Sequence, residues 1–296
     1  MSDFHGIIPP LVTPFKDNGK LDGDALRRVI RYVMDGGVHG VFIAGSTGEA
    51  YAMSDAERIE ALEIAVDEVK GRVPVFAGTA RITTEETVSL TKAAEAAGAD
   101  AVSIVTPYFI TPTQDELYDH YKAIAGAVKL PILLYNNPGR TGVNLNPDTI
   151  ARLAKIENIV GIKDSSGNMG NAVEMIRLCG KDFSFFCGFD MIIHPTLSAG
   201  GSGAVPASGN IAPGLIVELY ESFQKGNPGR SLELQQKLAP LRQAFGLGTF
   251  PAVLKEGLNL MGVDVGKPKL PVRPLSDEAR DKLRTVLKGL DLKPVG

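Results

Sequence analysis

The sequence predicts an α/β fold, a closed (β/α)8 TIM barrel with a C-terminal helical extension, and three observations carry that prediction. Short apolar runs rich in Val and Ile alternate with longer segments whose apolar residues recur three and four apart, the signature of repeated βα units, and eight such units follow one another. The runs are nearly continuous in apolar residues, as strands of a parallel sheet buried on both faces should be. After Asn227 the strands stop and only helical patterns remain. The expected organisation is therefore 1–226 as the barrel carrying the active site and 227–296 as the extension. Only GNPG stands between them, so the extension is expected to pack on the barrel.

In chain order, the first strand candidate is Ile7 to Leu11. The turn after it reads TPFKDNGKLDGD, without the G-x-G-x-x-G that a dinucleotide-binding doubly wound sheet, the competing architecture, needs there. Gly40 to Ala44 is the second strand, ending in GSTGE. Ser54 and Glu57 then have capping-box spacing, and Ile59, Leu62, Val66 and Val69 form one apolar stripe. Val73 to Ala77 is third, followed by Thr83 and Glu86 at the same spacing. Ala101 to Val105 runs into TPYF, Ile132 to Tyr135 into YNNPGRTG, and Ile159 to Ile162 into GIKDSSGN. Phe183 to Cys187 and Gly203 to Val205 complete the eight. The extension reads as three helices, about Ser231 to Gly246, Phe250 to Met261 and Ser276 to Leu290.

Composition narrows the function. With 44% hydrophobic and 22% charged residues among 296, the chain is globular rather than disordered. Its 31 Lys plus Arg balance 34 Asp plus Glu, and without a basic run nucleic acid is not expected as a partner. No apolar stretch approaches the roughly 18 residues that span a bilayer. The start, MSDFHGIIPP, has no basic n-region, so no membrane association and a cytoplasmic location are expected. Cys179 and Cys187 are isolated, which points to reduced structural thiols. Neither His194 nor any acidic cluster has metal spacing, so no metal or cofactor is expected.

In a (β/α)8 barrel chemistry sits where strands end, so the polar residues closing each apolar run are the candidates. Lys163 closes an inward strand, where desolvation favours the neutral amine, a nucleophile able to form a Schiff base with a keto acid. Alternatively it reaches solvent or pairs with Asp164. GSTGE offers two hydroxyls and a run of N–H groups suited to a carboxylate, or is an ordinary tight turn. Tyr135 offers a proton-carrying phenol, or is a core residue with a satisfied hydroxyl. Arg140 offers a fork for a second carboxylate, or is a surface charge.

Taken together, GSTGE, TPYF, YNNPGRTG and GIKDSSGN, in this order and spacing, resemble the dihydrodipicolinate synthase and N-acetylneuraminate lyase family of pyruvate-dependent class I aldolases, over nearly the whole chain. The resemblance implies a metal-independent lyase with Lys163 as Schiff-base lysine, Tyr135 as proton relay and Ser46 as a catalytic hydroxyl. It places Thr47, Arg140, Gly188 and Val205 around the substrates, pyruvate and an aldehyde or a 2-keto-3-deoxy acid. It also implies a homotetramer built as a dimer of dimers.

Within the family, Arg140 in PGRTG is similar to the arginine that synthases use for the carboxylate of aspartate semialdehyde. Phe109 stands where synthases carry a second relay tyrosine, and ASGN at 207–210 is closer to sugar-acid members. The nearest activity is therefore dihydrodipicolinate (4-hydroxy-tetrahydrodipicolinate) synthase, with a 2-keto-3-deoxy sugar acid or N-acetylneuraminate lyase-like aldolase as the alternative and a keto-acid-binding scaffold as the distant one. Lysine-inhibited relatives bind lysine at positions that here hold Ala50, Asp55, Arg58, Ile82, Glu86 and Tyr108; only Glu86 and Tyr108 match, so inhibition by lysine is not expected.

Overall fold

A computed structural model describes residues 4–292 and 294; the outermost residues of the two expected segments, 1–3, 293 and 295–296, lie outside the described residues. Eight parallel strands, β1 (Gly6–Ile7), β2 (Val41–Ile43), β3 (Val75–Gly78), β4 (Ala101–Val105), β5 (Ile132–Asn136), β6 (Ile159–Asp164), β7 (Ser184–Cys187) and β8 (Gly203–Ala204), form one sheet in the order β1-β8-β7-β6-β5-β4-β3-β2. The seam between β1 and β2 is closed beyond the ladder of β1. There Pro10 bridges Phe42, Leu11 donates its N–H to the Phe42 carbonyl at 2.8 Å, and Phe42 donates to the Pro9 carbonyl at 3.1 Å. Pro9 and Pro10 have no N–H to offer, which is why the first strand pairs over Gly6–Ile7 rather than through Leu11.

The helices α1 (Gly23–Asp35), α2 (Asp55–Val69), α3 (Thr84–Ala96), α4 (Gln114–Ala127), α5 (Pro138–Thr141), α6 (Pro147–Leu153), α7 (Met169–Cys179), α8 (Ile193–Ser198) and α9 (Pro213–Gln224) connect and surround the strands. Ser54 and Glu57 close a full capping box on α2. At α3 the Thr83 hydroxyl caps the N–H of Glu86, and the Glu86 carboxylate accepts a hydrogen bond from that hydroxyl, at 2.8 Å, rather than from the backbone. On α2 the buried face is Arg58, Ala61, Leu62, Ala65 and Val69, with Ile59 and Val66 half-buried at its edges. The stripe is thus rotated from the expected one, because two alanines let the helix sit close to its neighbours.

Two apolar layers result. Ile8, Phe42, Phe76, Ala101, Leu133, Phe186 and Val205 fill the barrel interior, while a larger cluster packs the outer strand faces against the helices. β6 carries one extra residue against β5: Ile132 faces Ile159 but Leu133 faces Gly161. That irregularity sets the side-chain parity of β6, so Gly161 and Lys163 turn inward and Ile162 outward.

Beyond α9 come α10 (Pro228–Gln243), a 3-10 turn over Ala244–Leu247, α11 (Ala252–Leu260) and α12 (Asp277–Gly289). α10 starts earlier than expected because Asn227 caps it and Pro228 occupies the first turn, where its missing N–H costs nothing. It packs on α9, and the segment between α10 and α11 lies over the cavity at the barrel's C-terminal end. Among the described residues no helix is long and apolar enough to cross a membrane.

Candidate active site

The strand register places the reactive side chains. On adjacent strands Tyr135 stands level with Lys163, and Lys163 level with Phe186. The Lys163 side chain is 4% exposed, with Nζ 4.0 Å from the centroid of the Tyr135 ring and 5.2 Å from that of Phe42. Asp164 points to the other face of β6, where its carboxylate accepts hydrogen bonds from Asn136 Nδ2 at 2.8 Å and Ser166 Oγ at 2.6 Å. Lys163 therefore has no carboxylate neighbour on its own strand, and its amine faces a cavity of about 520 Å³ with Ser46, Thr47, Tyr135, Arg140, Gly188 and Val205. All seven residues singled out from the sequence thus line one chamber.

Each is held by local structure. The GSTGE turn is fixed below by the Thr13 hydroxyl, which donates to the Gly48 carbonyl at 2.7 Å. Its last residue, Glu49, adopts the left-handed region (φ 55) and is 0% exposed. The Glu49 carboxylate lies 2.6 Å from Lys255 Nζ of α11, itself 1% exposed, and accepts the Lys269 N–H at 2.8 Å. Lys255 also donates to the Lys267 carbonyl at 3.0 Å. The turn carrying Ser46 and Thr47 is therefore clamped to the extension by a buried ion pair. Gly188 is required by proximity: a Cβ there would lie 2.1 Å from Ser165 Oγ and 3.2 Å from Lys163 Cε. Val205, in the interior layer, forms the floor.

The Tyr135 hydroxyl accepts a hydrogen bond from Asn137 Nδ2 at 2.8 Å. Burial pushes its phenol upward, but the Lys163 charge together with donors on Asn137, Ser165 and Ser46 outweighs it, and the phenol sits below its ordinary value. A phenol eased toward ionisation beside an amine can carry protons to and from that amine. Arg140, in α5, stacks its guanidinium 4.6 Å from the Phe250 ring centroid and is exposed. Phe109 has its ring 93% exposed, at φ 74, and lines neither this cavity nor the adjoining one, of about 220 Å³, behind Ser46 and Tyr135.

Sequence reasoning did not single out Asn137, Ser165, Asp190, Arg242, Phe245 or Phe250, all of which line the chamber. Asn137 and Ser165 lay inside the quoted motifs and were legible as polar strand-end residues. The others had no local signal. Burial raises the Asp190 carboxyl from its ordinary value, against the opposing pull of the Ser208 N–H and Arg242. His194 takes a structural place, with Nδ1 3.0 Å from Ser231 Oγ. Burial pushes the Cys187 thiol up to about 12 and the Cys179 thiol to about 11, so both are poor nucleophiles. Among the described residues no three His, Cys, Asp or Glu side chains gather as a metal site would require.

Comparison with known proteins places this geometry. A profile of the Dihydrodipicolinate synthetase family matches residues 3–290. The chain is 43% identical over 289 residues to 4-hydroxy-tetrahydrodipicolinate synthase of Syntrophus aciditrophicus (strain SB), covering 98% of this chain and 99% of that one. Its fold is similar to the crystal structure of dihydrodipicolinate synthase from Thermotoga maritima, at 38% identity and a TM-score of 0.95, covering 98% of this chain and all of that one. At 35% identity and the same TM-score of 0.95, it is also similar to YagE, a prophage protein of E. coli K12 solved in complex with pyruvate, covering 98% of this chain and 100% of that one.

Proposed function

The chain belongs to the dihydrodipicolinate synthetase family, and from that premise we propose that it condenses pyruvate with aspartate semialdehyde to 4-hydroxy-tetrahydrodipicolinate. The observation that supports this most is the buried Lys163 amine, 4.0 Å from the Tyr135 ring centroid and sharing a chamber with the Ser46–Thr47 turn. Lys163 Nζ adds to the keto carbon of pyruvate, and loss of one water leaves the imine. The turn's hydroxyls and N–H groups hold the pyruvate carboxylate. The imine withdraws electrons from the adjacent methyl, which loses a proton to give an enamine. The enamine carbon attacks the aldehyde carbon, whose oxygen takes up a proton to become the hydroxyl. The substrate's own amine then displaces Lys163 from the imine carbon, closing the ring and freeing the enzyme. Tyr135, set by Asn137, carries protons in the imine steps, and Arg140 receives the second carboxylate.

The same reading gives a cytoplasmic homotetramer, a dimer of dimers, requiring no metal. A 2-keto-3-deoxy sugar acid aldolase is the second reading, favoured by the missing hydroxyl at Phe109; a panel of aldehydes with pyruvate separates the two. Reduction with borohydride in the presence of pyruvate tests the chemistry. A stable adduct should map to Lys163 and be absent from Lys163→Ala. Labelling of that variant at equal stoichiometry, or no labelling of wild type, overturns the mechanism, and loss of turnover in a chelator restored by a divalent ion overturns its metal independence.

A further inference from the structure

We propose that Arg242 of α10 is a specificity-determining residue for the second substrate, its guanidinium sharing with Arg140 the single carboxylate of the incoming aldehyde on the wall that the extension adds to the chamber. The inference rests on the reading above and adds to it a residue outside the barrel.

Arg242 lies against two aromatic rings. Its guanidinium carbon lies 4.8 Å from the Phe189 ring centroid and 5.0 Å from that of Phe245. The rings of Phe245 and Phe250 are 6.2 Å apart, and Phe250 carries Arg140 at 4.6 Å. Two guanidiniums and the rings between them thus form a continuous wall along one chamber, with Lys163 lining the same space. One edge of Arg242 is pinned: Nε stands 3.5 Å from Asp190 Oδ2.

Asp190 is itself fixed. It is 3% exposed, its Oδ1 accepts the Ser208 N–H at 3.2 Å, and its carbonyl accepts Gln235 Nε2 at 2.8 Å. With Nε committed, the two terminal nitrogens of Arg242 have no hydrogen-bond partner among the described residues. A guanidinium supplies five N–H donors in a rigid fork that matches a carboxylate. Two aromatic rings against the guanidinium, an acid at Nε and the chamber it lines leave the fork one task, to receive a planar anion from that chamber. Asp190 acts as the positioning residue that orients it.

The test compares two four-carbon aldehydes, succinic semialdehyde and uncharged butanal, with pyruvate as partner, in wild type, Arg242→Gln and Arg242→Lys. Arg242→Gln should raise the KM for succinic semialdehyde about tenfold or more, as loss of a charge-assisted bidentate contact does. KM for pyruvate and for butanal should stay within about twofold, the uniform-binding signature of a contact confined to one substrate group. Arg242→Lys keeps the charge without the fork and should recover part of the loss. Calorimetric titration of glutarate into pyruvate-loaded protein should show the same ordering without turnover. Equal shifts for both aldehydes, or none, overturn the proposal. If wild type forms no imine and condenses nothing, the reading of the function falls instead, and glutarate titrated into the protein without pyruvate still decides whether Arg242 holds a carboxylate.

Discussion

The buried pair Glu49–Lys255 allows a quantitative test of how the extension supports the chamber. Replacing Lys255 with Met keeps the aliphatic bulk but removes the ammonium 2.6 Å from a carboxylate that is 0% exposed. The Lys269 N–H, at 2.8 Å, then remains as that carboxylate's hydrogen-bond donor. Breaking a buried pair by removing one partner typically costs about 3–5 kcal/mol, because the other charge is left uncompensated. Against a typical total of about 5–15 kcal/mol that is a large fraction, and it should appear as an earlier denaturant midpoint at unchanged slope. Glu49→Gln should cost a similar amount by stranding Lys255, which then keeps the Lys267 carbonyl and the Phe15 ring face, 4.5 Å away. In the double variant no charge is stranded. Its loss should fall well short of the sum of the singles, with a coupling of about 2 kcal/mol or more. Because Glu49 ends the turn that carries Ser46 and Thr47, each single variant should also raise the KM for pyruvate. Additive losses, or a single-variant loss below about 1 kcal/mol, would refute the argument that the pair is desolvated and coupled.

Three further outcomes are expected. Tyr135→Phe should lower kcat about 100- to 10,000-fold with little change in pyruvate binding, measured by steady-state kinetics beside imine trapping; an unchanged kcat removes the phenol from the mechanism. His120 is 7% exposed and burial lowers its imidazole to about 4, so it folds neutral. Its contribution is intact above about pH 6.5, where the unfolded chain is neutral too, and is lost as pH falls toward 4, by about 3 kcal/mol at 1.36 kcal/mol per unit. Melting curves of wild type and His120→Gln across that range should converge as the acidic slope disappears in the variant. L-lysine should neither inhibit nor bind. Arg58 already donates to the carbonyls of Ala50 at 2.5 Å and Ala80 at 3.1 Å, Asp55 is paired with Arg81, and Ala50 and Ile82 offer no polar side chain. Sub-millimolar inhibition with binding heat would contradict this.

The barrel was legible because its signal is local. Apolar runs broken by turn residues locate strands whatever the partner, and Lys163 and Tyr135 stood out as polar residues ending such runs. Boundaries failed where a single residue type overruled the pattern. Val73 is followed by Pro74, which cannot donate, so β3 starts at Val75. Asp55 and Arg58, three residues apart on α2, have no local mark of their separate fates, yet the fold sends one to Arg81 and buries the other. Arg242 and Phe245 read as the end of one ordinary helix and Phe250 as the start of the next. What makes them part of the chamber is where α10 stops relative to the barrel mouth, a long-range fact with no local period. Glu49 and Lys255 are likewise far apart in sequence, and a charged residue carries no local mark that it will be buried against another.

The wall carrying Arg242 and Phe250 has a consequence in time as well as in space. Synthesis proceeds from the N-terminus, so the strands that bear Lys163 and Tyr135 leave the ribosome well before the residues that finish the chamber and clamp its GSTGE turn. A nascent or clipped chain lacking the last segment would own the reactive amine but neither its second guanidinium nor the Lys255 anchor. On the proposed function, such a chain would carry Lys163 without the residues that hold its neighbouring turn and select what it meets.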